Sequence, residues 1–191
     1  MTFTEKTLSD LPASARFSDE DAQIILKYRD TLLTWEDGLV QGFYDALYGH
    51  ETTRAVFGDG ERPDREKTLR DWFRRTINGP FDSKYWEWQS FVGLVHVKRG
   101  VSNAMVAGMW GWLMNYLGKR AMEALEPQEA VKMIKAVHSL QAQVMSLIVE
   151  SYLRNMLVAV DKAAGINEAL IYRLVSIEID GMLSEAREDR G

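Results

Sequence analysis

Phe91-Val92-Gly93-Leu94-Val95-His96-Val97-Lys98-Arg99-Gly100 is the stretch on which the fold of this chain is decided. Its apolar residues recur at three- and four-residue spacing, the period of a helix with a buried face. Lys98 and Arg99 sit where the last turn would be, at the negative end of the helix dipole. Gly100 then takes the position just past the end, where a left-handed residue closes the helix. His96 is the one titratable group inside this apolar turn, and Val92 shares its face one turn earlier. Two readings follow. A core histidine would hand its ring nitrogens to backbone carbonyls. Alternatively, a neutral imidazole in an apolar wall is a suitable iron ligand, since haem iron needs one strong axial donor and a dry pocket. Spacing alone leaves both open.

Outward from this stretch, every long segment carries helical periodicity, and none shows sustained strand alternation. Ser18-Asp19-Glu20-Asp21 is a capping signal that opens a helix running to about Leu33. A second helix begins near Thr34-Trp35-Glu36-Asp37 and ends near Gly49. The stretch from Glu51 to Asp64 is turn-rich and holds Phe57. A third helix follows Pro63 and stops at Asn78-Gly79-Pro80, and a fourth spans about Asp82 to Arg99. The fifth covers about Ser102 to Leu125. The sixth starts at Pro127, a favourable first helical position, and runs past Leu153 to a break at Gly165. A last amphipathic helix covers about Asn167 to Glu188. The expectation is an all-α protein with a loose lead-in over residues 1–17, a helical domain over 18–160 and a helical extension over 161–191.

The fifth helix carries two apolar stripes side by side, Met105, Met109, Trp112 and Tyr116 next to Val106, Trp110, Leu113 and Leu117. The sixth is similarly wide. Faces this broad bury against more than one neighbour, either at the centre of a domain or partly against a second subunit. The tail helix, with Leu170, Leu174, Ile177 and Met182, would pack back on the core or pair with a second copy.

Composition removes whole classes of chemistry. At 191 residues and 21.8 kDa one domain is the default. A chain of this size can bury roughly 70% of its surface, enough for a core and an enclosed pocket. The net charge of −5 and pI near 5.3 argue against a nucleic-acid partner. Zero cysteines exclude disulfides, thiolate zinc, iron–sulfur clusters and cysteine nucleophiles. No apolar run is long enough for a membrane span, and no secretory signal is visible, so a cytoplasmic location is expected. The residues three before His50, His96 and His138 are Leu47, Gly93 and Lys135, so the Glu-x-x-His pair of a helical di-iron site is missing. No His-Glu-x-x-His motif occurs. Gly58-Asp59-Gly60 lacks the lysine of a phosphate loop, and no Gly-x-Ser-x-Gly elbow exists. His96 is what remains.

Three segments carry a family resemblance. Val92 through Val101, with its helix-ending His-x-x-x-Gly, resembles the proximal segment of the globin-coupled sensor and protoglobin family. Phe43-Tyr44-Asp45-Ala46-Leu47 is similar to that family's segment with a tyrosine on the distal face. Lys67-Thr68-Leu69 is similar to its distal-helix segment. The intervals, 24 residues from Tyr44 to Thr68 and 28 from Thr68 to His96, are close to the family's, and the likeness runs from about residue 19 to about 155. It implies a globin-like fold of the sensor branch holding haem b (iron protoporphyrin IX), with His96 as the metal ligand. It implies that Tyr44 donates a hydrogen bond to a bound gas, with Thr68 as a second donor unless its hydroxyl bonds back to its own helix. Phe43, Phe57, Trp72, Val92, Val101, Met105 and Met109 are the expected pocket wall. Lys98 and Arg99 either reach the haem propionates or sit in water.

The resemblance further implies reversible binding of oxygen, carbon monoxide or nitric oxide, a gas-sensing role without catalysis, and a homodimer through helices 102–125 and 127–155. Two alternatives stand beside it. One is a haem-free interaction module of a stress-signalling assembly, the other a haem enzyme handling nitric oxide or peroxide. The chain departs from the family after the proximal segment, where Asn103 and Met105-Val106 replace a proline and an aromatic pair. A tyrosine relay at that place is therefore missing. The family's usual output module is missing too, so the chain is expected to be a stand-alone sensor globin or the sensory piece of a longer protein.

Overall fold

Capping chemistry starts the helices where the sequence places it. In the computed structural model, which describes residues 1–188, Ser18 Oγ accepts from the Asp21 N–H at 3.1 Å and the Asp21 carboxylate returns the bond to the Ser18 N–H at 3.0 Å. Asp82 and Ser102 cap their helices in the same manner, accepting from Tyr85 N at 2.9 Å and Met105 N at 3.2 Å. Gly100, at φ 68°, ends the fourth predicted helix, and Val101 N donates back to the His96 carbonyl at 3.0 Å.

The elements are α1 (Phe3–Asp10), α2 (Asp19–Lys27), α3 (Arg29–Thr34), α4 (Glu36–Tyr48), α5 (Glu51–Arg54), α6 (Arg62–Asn78), α7 (Ser83–Arg99), α8 (Asn103–Ala124), α9 (Pro127–Ala164) and α10 (Glu168–Glu188), with one short tight turn at Ala13–Ala15. No strand occurs among the described residues. The chain divides into two units, Met1–Ser151 and Tyr152 onward.

In the first unit α4, α6, α8 and α9 supply most of the core. Leu39, Val40, Met133, Val144 and Leu147 are fully enclosed. The stripe Val106, Trp110, Leu113 and Leu117 of α8 is buried there as well. The neighbouring stripe is used by the same chain. Trp112 and Tyr116 stack on each other and lie against Gly42 and Gly38 of α4, so close that a Cβ would sit 2.8 Å from Trp112 and 2.6 Å from Tyr116. A buried carboxylate, Glu36, ties α4 to α6 through Arg70 and Arg74. Burial pushes its pKa up, but the two guanidiniums outweigh that and the net direction is down.

The structure departs from the sequence reading in two places. The expected first helix is broken at Tyr28 and restarts at Arg29, because the Tyr28 hydroxyl reaches across to the Glu129 carboxylate of α9. Trp35 separates α3 from α4, buried, with its carbonyl taken by the Tyr116 hydroxyl. The second departure is the lead-in. Residues 1–17 are not loose: α1 opens on a reciprocal Thr2/Glu5 capping box and docks with Thr4 and Thr7 buried. Thr4 Oγ1 pairs with Ser90 Oγ of α7 at 3.0 Å, and Phe17 N donates to the buried Gln143 of α9 at 3.0 Å.

The second unit holds the end of α9 and α10, separated at Gly165, which takes φ 67°. No residue of α10 is buried, and Leu170, Leu174, Ile177 and Met182 are exposed. The last three residues of the expected 161–191 extension lie outside the described ones. Among the described residues no helix is long and apolar enough to cross a membrane.

Candidate functional site

α4, α6, α7, α8 and the turn after α5 enclose a cavity of about 340 Å³, closed from behind by Val144 and Ile148 of α9. That volume lies within the roughly 300–1,000 Å³ of small-molecule and cofactor pockets. All ten residues singled out from the sequence line it. Phe43 and Tyr44 come from α4, Phe57 from the turn, Thr68 and Trp72 from α6, Val92 and His96 from α7. Val101 precedes α8, which brings Met105 and Met109. The sequence reading missed Arg65, Trp88 and Trp110. Arg65 carried a usable signal, being three residues before Thr68 and so on the same helical face. Of the two tryptophans spaced two apart, Trp88 lines the cavity, while Trp86 packs edge-on against Phe17 and Tyr85.

His96 is the only imidazole among the residues lining the cavity, since His50 and His138 are exposed elsewhere. Its Nδ1 is buried and has no hydrogen-bond partner. Burial first, and the nearby Arg99 cation second, push its pKa down, so the ring is neutral and keeps a lone pair. The two hydroxyls are placed differently. Tyr44 Oη donates to the Arg65 carbonyl at 2.8 Å, and Thr68 Oγ1 donates to the Asp64 carbonyl one turn back at 2.8 Å. Burial raises the Tyr44 pKa, so the phenol keeps its proton. Each hydroxyl has one proton to give, so serving a ligand means leaving a backbone carbonyl.

The donor set fits a metal that arrives already chelated. Among the described residues no three His, Cys, Asp or Glu side chains cluster to hold a bare ion. One neutral imidazole in an apolar wall is what a porphyrin-bound iron asks of a protein. The unsatisfied Nδ1 is the polar atom that such a reading has to account for, since an orphaned buried nitrogen costs about 1–3 kcal/mol.

Comparison with known proteins gives the same direction. A solved structure, the globin domain of a Geobacter sulfurreducens globin-coupled sensor, superposes with a TM-score of 0.69 at 22% identity. It covers 80% of this chain and 99% of that one, and a likeness at this identity concerns the fold alone. No curated protein matches the chain. The model of the Protoglobin family matches residues 4–157, which takes in every residue that lines the cavity. On that match the chain belongs to the protoglobin family, with a globin-like all-α fold.

Proposed function

We propose that the chain binds haem b in this cavity, with His96 as the ligand to iron, and serves as a gas-sensing input in the cytoplasm rather than as an enzyme. The observation that carries the reading is the lone neutral imidazole with an unpartnered buried nitrogen in the wall of an apolar, cofactor-sized cavity. Haem bound there supplies an open coordination position for a diatomic gas, oxygen first, with carbon monoxide and nitric oxide as competitors. The chain's own part is to keep water out with Phe43, Phe57, Trp72 and Trp110 and to offer the Tyr44 proton. The cavity wall carries no carboxylate among the described residues, which favours binding over acid–base turnover of peroxide.

α7 is the element through which a signal would leave the site. Gly93, one turn before His96, presses on α9: a Cβ there would stand 2.6 Å from the Ile148 carbonyl and 2.8 Å from Ser151. Ser151 Oγ also donates to the Ser90 carbonyl at 2.6 Å. A displacement of α7 is therefore passed to α9, and through α8 and α9 to a second copy in a homodimer. Such a signal is a population shift between two packings. The dimer rests on the family, since the second stripe of α8 is accounted for within one chain.

The experiment is an absorption spectrum of the haem-reconstituted protein, oxidised, reduced and under carbon monoxide, beside His96→Ala. An intense Soret band that moves with reduction and gas, and that is weakened or altered in the variant, is the expected outcome. A colourless, folded protein after reconstitution would return His96 to the core and leave the interaction-module reading.

A further inference from the structure

Two cations stand on the rim of an otherwise apolar cavity, and one carboxylate holds both. Arg65 of α6 and Arg99 of α7 line the cavity and are each about a quarter to a third exposed, so they face both solvent and interior. Glu61, at the start of α6, meets Arg99 fork to fork: Oε1 lies 2.7 Å from Nη1, and Nη2 donates to Oε2 at 2.8 Å. The same Oε1 is 3.3 Å from Arg65 Nε, a buried donor that makes no aligned hydrogen bond. Glu61 Oε2 also accepts from Gly58 N at 2.9 Å. The bond to Arg99, then the Gly58 N–H, hold the Glu61 carboxyl down at about 2.

We propose that Glu61 is a built-in stand-in for a ligand carboxylate: it fills the anion seat formed by Arg65 and Arg99 and gives it up to the carboxylate of an incoming flat, apolar ligand. This rests on the haem reading above and adds to it a residue, Glu61, that holds the seat of the ligand's carboxylate tails and controls their entry. The argument is one of charge and geometry. Two guanidiniums against one carboxylate leave the cluster with a net positive charge. The paired nitrogens of Arg99 that would recognise a carboxylate are already recognising one. Arg99 does not depend on Glu61 for its place, because Nη2 also donates to the Val56 carbonyl at 3.2 Å and the guanidinium lies 5.8 Å from the centre of the Phe57 ring. Take Glu61's charge away, and the seat remains, empty and more positive. Ligand entry is then an exchange of carboxylates when Glu61 is present, and direct capture when it is not.

The test uses metal-free protoporphyrin IX, with two free carboxylates, against its dimethyl ester. Binding is followed by quenching of tryptophan fluorescence, to which Trp72, Trp88 and Trp110 in the cavity wall respond. Wild type should prefer the diacid. Glu61→Gln keeps an acceptor for Gly58 N and should bind the diacid about threefold to tenfold more tightly and load it faster, with the ester unchanged. Arg99→Gln should erase the preference for the diacid. Thermal melting by circular dichroism confirms that each variant is folded, and Glu61→Asp, whose carboxylate is drawn back from Arg99 by one methylene, should move in the same direction as Glu61→Gln. Unchanged or weaker diacid binding in both Glu61 variants, with wild type binding normally, overturns the inference alone. Failure of wild type to bind either metal-free porphyrin, in a protein that does take up haem and show a Soret band, likewise overturns the inference alone. Failure to take up haem overturns the haem reading, and the inference with it.

Discussion

The two polar walls of the cavity are built in contrary ways. On the α7 wall the imidazole of His96 has a buried nitrogen with nothing to bond, and the helix behind it is fixed. Gly93 is wedged on the Ile148 carbonyl, Ser90 is bonded to Ser151, and Thr4 of α1 bonds Ser90. On the α4–α6 wall the hydroxyls of Tyr44 and Thr68 are satisfied by backbone carbonyls. One wall is rigid and chemically incomplete. The other is complete and has to exchange partners to do anything. The difference teaches where a ligand's energy goes: gained outright at His96, and gained only as the difference between two hydrogen bonds at Tyr44 and Thr68.

The largest way to break this contrast is to unseat the rigid wall. Gly93→Ala places a methyl group against a backbone carbonyl, which has no rotamer by which to retreat. Overpacking of that kind costs about 1–3 kcal/mol, and the gain in helix propensity from Gly to Ala returns about 1 kcal/mol at most. Thermal unfolding should show a fall of several degrees, at roughly 2–4 °C per kcal/mol. Gly108→Ala on α8 is the control, since nothing lies within 4 Å of its Cβ position and its melting point should hold or rise. A Gly93 variant as stable as wild type would show that α7 is not held against α9 at that point.

Tyr44→Phe has a middle-sized effect, on two readouts. It removes a bond between α4 and α6, worth about 0.5–1.5 kcal/mol of stability. If the hydroxyl also turns to a bound gas, the oxygen off-rate rises about threefold to tenfold, measured by stopped-flow. A loss of stability with no change in off-rate would confine Tyr44 to its bond with Arg65 and make the hydroxyl wall purely structural.

How far the sequence could be read follows the same physics. Helix starts at Ser18, Asp82 and Ser102 and the stop at Gly100 were legible because capping is local. The cavity wall was legible segment by segment through the family resemblance, and its residues from α4 to α8 do meet in one cavity. The break near Trp35 was legible in Thr34-Trp35-Glu36-Asp37, but the one at Tyr28 was not, since Tyr28 has its partner, Glu129, about 100 residues away. Helix α1 was missed because it buries two threonines rather than an apolar stripe. The rim was legible only in part: Arg99 was a candidate for the propionates, but its partners Glu61 and Arg65 join it only when α6 and α7 come together.

Thr68→Val is the smallest change and the sharpest test of the contrast. Valine keeps the shape and the β-branch, so backbone and packing are conserved and only the hydroxyl is lost. That hydroxyl bonds to Asp64 in its own helix, a local contact that adds little to stability, so melting should move by less than about 0.5 kcal/mol equivalent. To serve a gas the Thr68 side chain must rotate away from a carbonyl that is always within reach, whereas Tyr44 gives up a bond between two helices. The oxygen off-rate should therefore change by less than about twofold, well below the effect of Tyr44→Phe. If Thr68→Val matches or exceeds Tyr44→Phe, the two hydroxyls are not ranked by what they must leave, and the wall is organised by the ligand rather than by the backbone it is bonded to.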